Sequence, residues 1–261
     1  MDLSAKRISK SMWCLLGIIL FIILFSVISP YLAPDDPYLT HSDNILAAPD
    51  MNHLFGTDSH GRDVLSRVMV GSRNSIFAAF AIIACAGTLG SFVGLMGGYF
   101  GGKTDKIIVR ISEVFQAFPQ LVLVMMIVAI VNRRGLSNLL FIFVVTGWMT
   151  TFRMVRNEYL SLRGETYVKV CEAFGMSNSR IMFGEILPNV MTPIIVSTTT
   201  NVAFFILQEA ALSFIGLGVA DSTPTWGNIL NAAKSVAVVT NQWWIWVFPG
   251  AAITLFVLAI N

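Results

Sequence analysis

Apolar residues run together in this sequence over stretches far longer than the periodic patches of a soluble fold, near residues 12–28, 75–97, 107–131, 136–152, 190–216 and 243–260. A helix needs ~20 such residues to cross a hydrocarbon core of ~30 Å, so each run is a candidate membrane span. The chain is 55% hydrophobic and 12% charged, well below the ~25% charged content of soluble domains. An all-α membrane protein with six transmembrane helices is expected. The first run follows Lys6, Arg7 and Lys10. It is long for a signal-peptide core, and Ser29, Pro30 and Tyr31 offer no small-x-small cleavage site, so it reads as a retained anchor.

Lysine and arginine concentrate in cytoplasmic loops. With the N-terminus inside, eleven of the 17 fall on the inner side and six outside, and the first outer loop is further offset by six aspartates between Asp35 and Asp63. N-in, C-in is the favoured orientation. The chain then divides into residues 1–74, an anchor helix plus an external loop, and 75–261, a transmembrane domain whose cytosolic loop covers about 153–189. External residues 30–74 are rich in Pro, Asp and Gly, and Gly56, Thr57, Asp58, Gly61, Arg62 and Asp63 suit a tight, self-bonded turn or a contact with a partner.

A net charge of +2 gives no argument for nucleic acid. Cys14, Cys85 and Cys171 form no external disulfide framework, and His41, His53 and His60 lack the spacing of a metal site. The phosphate-cradling GxxxxGK[ST] is absent, as are HExxH and GxSxG, so the chain is not expected to be an enzyme. A secondary transporter would share the apolar composition but usually carries an internal repeat, and none is visible.

From Glu158 the sequence reads EYLSLRGETYVKVCEAFGMSNSRIMFGEILPNVMTP. Charged residues alternate with an apolar stripe of Leu160, Leu162, Val168, Val170 and Phe174, which suits two short helices broken at Gly175, a residue that accepts positive φ cheaply. Ser177 and Ser179 are candidate N-caps, and Pro188 is expected to close the second helix before the fifth span. A short amphipathic helix projecting from the membrane suits a groove on a soluble partner.

The spacing of Gly175 to Leu187 and Pro188 resembles the EAA loop of binding-protein-dependent ABC importers, although the Glu-Ala-Ala positions read Lys169, Val170 and Cys171 and Glu185 stands where the consensus has Ile. HLFGTDSHGRDVLSRVMVGSR from His53, GGYFGGKTDKIIVRISEVFQAFPQ from Gly97, EAALSFIGLG from Glu209 and PTWGNIL from Pro224 are similar, in order, to the C-type permease of dipeptide, oligopeptide and nickel importers. The resemblance implies a type I ABC importer permease fold in the bacterial inner membrane and a short cytosolic tail beyond Asn261. It implies a heterodimer with a homologous second permease, two ATP-binding subunits and an extracytoplasmic substrate-binding protein. No cofactor is then expected in this chain, ATP and Mg being bound by the ATPase subunits. The ATPase-coupling loop would comprise Glu165, Lys169, Cys171, Ala173, Phe174, Gly175, Met176, Ser177, Arg180, Leu187 and Pro188. The cargo implied is a di- or oligopeptide, with nickel or a metal chelate as the alternative.

Polar residues inside the spans are further candidates. Ser197, Asn201 and Gln208 fall on one face of the fifth helix, and Glu113, Gln116 and Gln120 on one face of the third, beside a helix-kinking Pro119. Each set suits either a watery pathway or interhelical hydrogen bonding. Glu209, costly if unpaired at mid-depth, reads either as a gate or as a carboxyl bonded to neighbouring helix groups. Gly87, Gly90, Gly94, Gly97 and Gly98 suit close helix packing, and Trp226 suits a membrane interface.

Overall fold

The computed structural model describes residues 22–132 and 135–260, together with Gly17 and Leu20. Lys6, Arg7, Lys10, Cys14, Arg133 and Arg134, and most of the first expected span, lie outside the described residues. The described chain is helical, without a strand: α1 (Ile22–Tyr31), α2 (Val64–Phe100), α3 (Gly102–Gln116), α4 (Gln120–Val131), α5 (Leu136–Arg163), α6 (Thr166–Ala173), α7 (Asn178–Ile215), α8 (Trp226–Leu230), α9 (Val236–Asn241) and α10 (Trp244–Ile260). Among these, α2, α5 and α7 are long and apolar enough to cross a membrane, and α3 with α4 would make a fourth span if the bent pair is one. The chain forms two compact units, Met1–Phe77 with Asp221–Asn261, and Ala78–Ala220. The boundary expected near residue 74 therefore falls inside α2, whose first turns belong to the first unit.

In the first unit α2 begins at Val64, ahead of the apolar run that starts near Ser75. Asp63 supports that start by accepting both the amide and the hydroxyl of Ser66 at 2.7 Å, the bonding expected at a helix entry. Asp58 accepts from Arg62 Nε at 2.7 Å, and Arg62 and Arg67 reach Asp221 at 2.7 and 3.3 Å. The guanidinium of Arg67 is buried, so these partners offset a desolvation that would otherwise cost several kcal/mol. Gly61 sits at φ +72, where a Cβ would fall 1.9 Å from the His41 carbonyl oxygen. Trp226 is buried in this unit, where its indole N–H finds the Val68 carbonyl and the Ser72 hydroxyl, both at 3.2 Å.

The second unit is organised by a glycine seam. Cβ atoms at Gly90, Gly94 and Gly98 would lie 2.4, 2.7 and 2.7 Å from the carbonyl oxygens of Trp148, Phe152 and Arg156. The i, i+4, i+8 spacing thus lays α2 against α5 along matching turns, as small residues do in membranes. Gly87 is outside this seam, with nothing near its Cβ position.

Two expectations about spans are corrected here. The third run is not one kinked helix, because α3 and α4 are bent by 86° across Ala117–Pro119. Proline donates no amide and biases the residue before it away from helix, so the segment breaks instead of curving. Pro188, expected to end a helix, lies inside α7. The preceding turns, Ile181–Ile186, are wound as a π-helix and Leu187 donates to Met182. Proline is tolerated next to such a π segment, where the ordinary i→i−4 ladder is already interrupted.

Candidate functional site

The connection between α5 and α7 is held to the second unit by a small apolar core. Val168, Ile181, Met182 and Ile186 join Leu95, Tyr99, Val155 and Tyr159 in one buried cluster, with Leu162, Cys171, Met176 and Leu187 partly buried against it. Polar pins reinforce the cluster: the Tyr159 hydroxyl donates to the Met182 carbonyl and the Tyr99 hydroxyl to Asn178 Oδ1, each at 3.0 Å. Arg163 lies 5.6 Å over the Tyr99 ring, a cation–π contact.

Gly175 ends α6 as expected, at φ +73. Its amide donates to Glu172 and that of Met176 to Cys171, both at 3.0 Å, which is the paired bonding of a Schellman turn. The apolar contact that accompanies such a turn is present as well, since Cys171 and Met176 face the same cluster. Ser177 takes the N-cap position of the next helix, but its side chain makes no capping bond, and Ser179 lies inside that helix.

The apolar stripe read from the sequence splits between two faces. Val168 and Cys171 point into the bundle, whereas Tyr167, Val170 and Phe174 are 37%, 46% and 85% exposed. Positions 167, 170 and 174 share one helical face, so α6 turns an apolar strip outward while a second apolar face anchors it. Glu165, Lys169, Glu172, Ala173, Ser177 and Arg180 surround that strip and are exposed. Burial pushes the Tyr167 hydroxyl above its ordinary pKa, and Glu165 acts in the same direction while a hydrogen bond from Asn189 opposes them. Leu187 packs inward and Pro188 is exposed.

One ion pair near this site had no signature in the sequence. Arg156, two turns before the end of α5, meets Asp105 on α3 through two parallel bonds of 2.5 Å, the bidentate geometry that suits guanidinium and carboxylate. Asp105 is buried, and a Cβ on Gly97 would lie 2.8 Å from its Oδ1.

The intramembrane candidates divide. Glu113, Gln116 and Gln120 do not share one helix, since the break places Gln120 on α4. Gln116 and Gln120 nevertheless line one cavity of about 270 Å³ together with Thr146 and Thr150 of α5. Glu113 pairs with Arg110 at 2.8 Å in an exposed position. On α7, Asn201 bonds Ser197 at 3.4 Å, and Gln208 is buried with a side-chain oxygen that accepts no bond within the described residues. Glu209 is buried and accepts from Ser213 at 2.7 Å, while Ser213 also receives the Val219 amide at 3.4 Å. This geometry favours the bonded carboxyl over a gate. Glu209→Gln is accordingly expected to keep uptake within about twofold, because the amide oxygen still accepts from Ser213. A loss of uptake in vesicles with normal protein levels would restore the gate.

Residues 64–261 match the family described as binding-protein-dependent transport system inner membrane component. The chain belongs to this family. Members are transport permease subunits that work with ATPase and substrate-binding partners, and the apolar helices make this member a multi-pass membrane protein. Relatives extend over nearly the whole sequence. The dipeptide transport system permease protein DppC of Alkalihalophilus pseudofirmus is 36% identical over 258 residues, covering 98% of this chain and 84% of that one. The probable D,D-dipeptide transport system permease protein DdpC of Escherichia coli is 36% identical over 262 residues, 97% and 87% of the two chains. The oligopeptide transport system permease protein OppC of Bacillus subtilis is 34% identical over 244 residues, 94% and 79%.

Proposed function

We propose that this chain is a permease subunit of an ATP-driven importer that carries di- or oligopeptides across the bacterial inner membrane by alternating access. The observation that carries the reading is the outward strip of Tyr167, Val170 and Phe174 on a helix clamped to the membrane bundle. Such a helix presents an anchor to a groove and, being rigidly pinned, passes the groove's movement to α2 and α5. The partners in this reading are a homologous second permease, two ATP-binding subunits that hold ATP and Mg, and an external substrate-binding protein. The membrane topology is six spans with both termini inside, α3 and α4 together forming the third. The relatives' names favour peptide over nickel or a metal chelate as cargo.

Gly175→Val tests the lever. Beyond its chain neighbours no atom lies within 4 Å of the added Cβ, so the substitution acts chiefly through the left-handed backbone. That strain costs roughly 1–2 kcal/mol, about a 5- to 30-fold bias against the clamped turn. Uptake into vesicles is expected to fall by a comparable factor while the ATP-binding subunits remain bound and continue to hydrolyse ATP. Unchanged uptake per ATP would count against the lever, and uptake driven by an ion gradient without ATP would replace the importer by a secondary transporter.

A further inference from the structure

The break between α3 and α4 leaves two helix ends facing each other inside an apolar chain, and with them the unpaired carbonyls and amides that helix termini carry. The α4 end shows this: Leu123 is the first residue in the segment to donate back, to Pro119 at 3.0 Å. In hydrocarbon such backbone is tolerated only where it is buried in protein or lines a water-filled cavity. A cavity is present at this point, about 270 Å³ in volume, with Gln116 and Gln120 on the two sides of the break and Thr146 and Thr150 one turn apart on α5. Phe115 and Phe118 supply apolar walls, and no charged side chain lines it.

The chemistry of this lining is selective in kind. Glutamine amides and threonine hydroxyls both donate and accept, as does each unit of a peptide backbone. Aromatic walls accommodate side chains without regard to their identity, and the lack of charge excludes a strong preference for acidic or basic residues. We propose that the cavity at the α3–α4 break is a peptide-amide station in the passage, at which Gln116, Gln120 and Thr150 exchange hydrogen bonds with the cargo's main chain. Thr146 already donates to the Ile142 carbonyl at 2.9 Å, so it offers its oxygen as an acceptor. This deepens the reading of the chain as a peptide permease and rests on it.

The test uses the full complex, reconstituted with its ATP-binding subunits and binding protein, and trialanine as the probe. Thr150→Cys is exposed to a membrane-impermeant maleimide, and the modified site is located by mass spectrometry so that the native cysteines can remain. Modification is expected, and turnover with trialanine and ATP is expected to slow it. Gln120→Leu is expected to lower trialanine uptake roughly fivefold, the loss of about one hydrogen bond, with ATPase capture unchanged. A residue 150 that is never modified, or modified at a rate indifferent to trialanine, in a complex that still imports would overturn the station alone. Failure of the unmutated chain to bind ATPase subunits or to import peptide would remove the permease reading and the station together.

Discussion

Replacing Phe174 with alanine is expected to weaken capture of the ATP-binding subunits by about 30-fold, the ~2 kcal/mol typical of truncating an aromatic anchor at the centre of an interface. Phe174 is 85% exposed and makes no contribution to the cluster that holds α6 in place, so the permease itself should melt at an unchanged temperature. The pairing of these two results is what gives the experiment its force. A core residue would lower stability and binding together, whereas a docking anchor lowers binding alone. Affinity of the purified permease for the ATP-binding subunits, measured in detergent beside a thermal melt, checks both. Equal affinity of the variant and the parent would show that the outward strip is not the docking surface.

Separating Asp105 from Arg156 is expected to produce the largest loss of stability. Removing one partner from a buried ion pair costs about 3–5 kcal/mol, because the other charge is left without compensation. Arg156 is partly exposed whereas Asp105 is buried, which places Asp105→Leu, the variant that leaves the more exposed charge behind, near the lower end of that range and Arg156→Met nearer the upper. Asp105→Leu combined with Arg156→Met should recover much of the loss, since neither charge is then stranded. The pair also joins α3, which leads to the helix break, to α5, which leads to the α6 strip. Thermal denaturation of the single and double variants in detergent is the measurement. A double variant no more stable than either single one would show that the pair's geometry, not the stranded charge, carries the effect.

Much of the site was legible from local sequence. Gly175 ends α6 because the left-handed conformation is nearly free for glycine, and the glycines at four-residue spacing mark a close helix contact. The direction of α6 was not legible. Val168, Val170 and Phe174 are all apolar, and periodicity alone cannot tell an anchoring face from a presenting one when a helix of eight residues carries both. The severity of the break at Pro119 was likewise hidden, since proline forbids a regular helix but does not set the angle at which the chain resumes.

Composition and the length of the apolar runs determined by themselves that this chain lives in a bilayer, because no aqueous fold has enough interior to hide them. Motif order along the chain determined its family. Tertiary structure alone decided which residues meet: Asp105 with Arg156, the Tyr99 and Tyr159 hydroxyls with the start of α7, and Gln116 and Gln120 with two threonines of α5. These pairs are separated by tens of residues, and their encounter depends on how helices of similar apolarity choose neighbours. That choice is made by small-residue seams and buried hydrogen bonds summed over the whole bundle, a quantity that no single stretch of sequence contains.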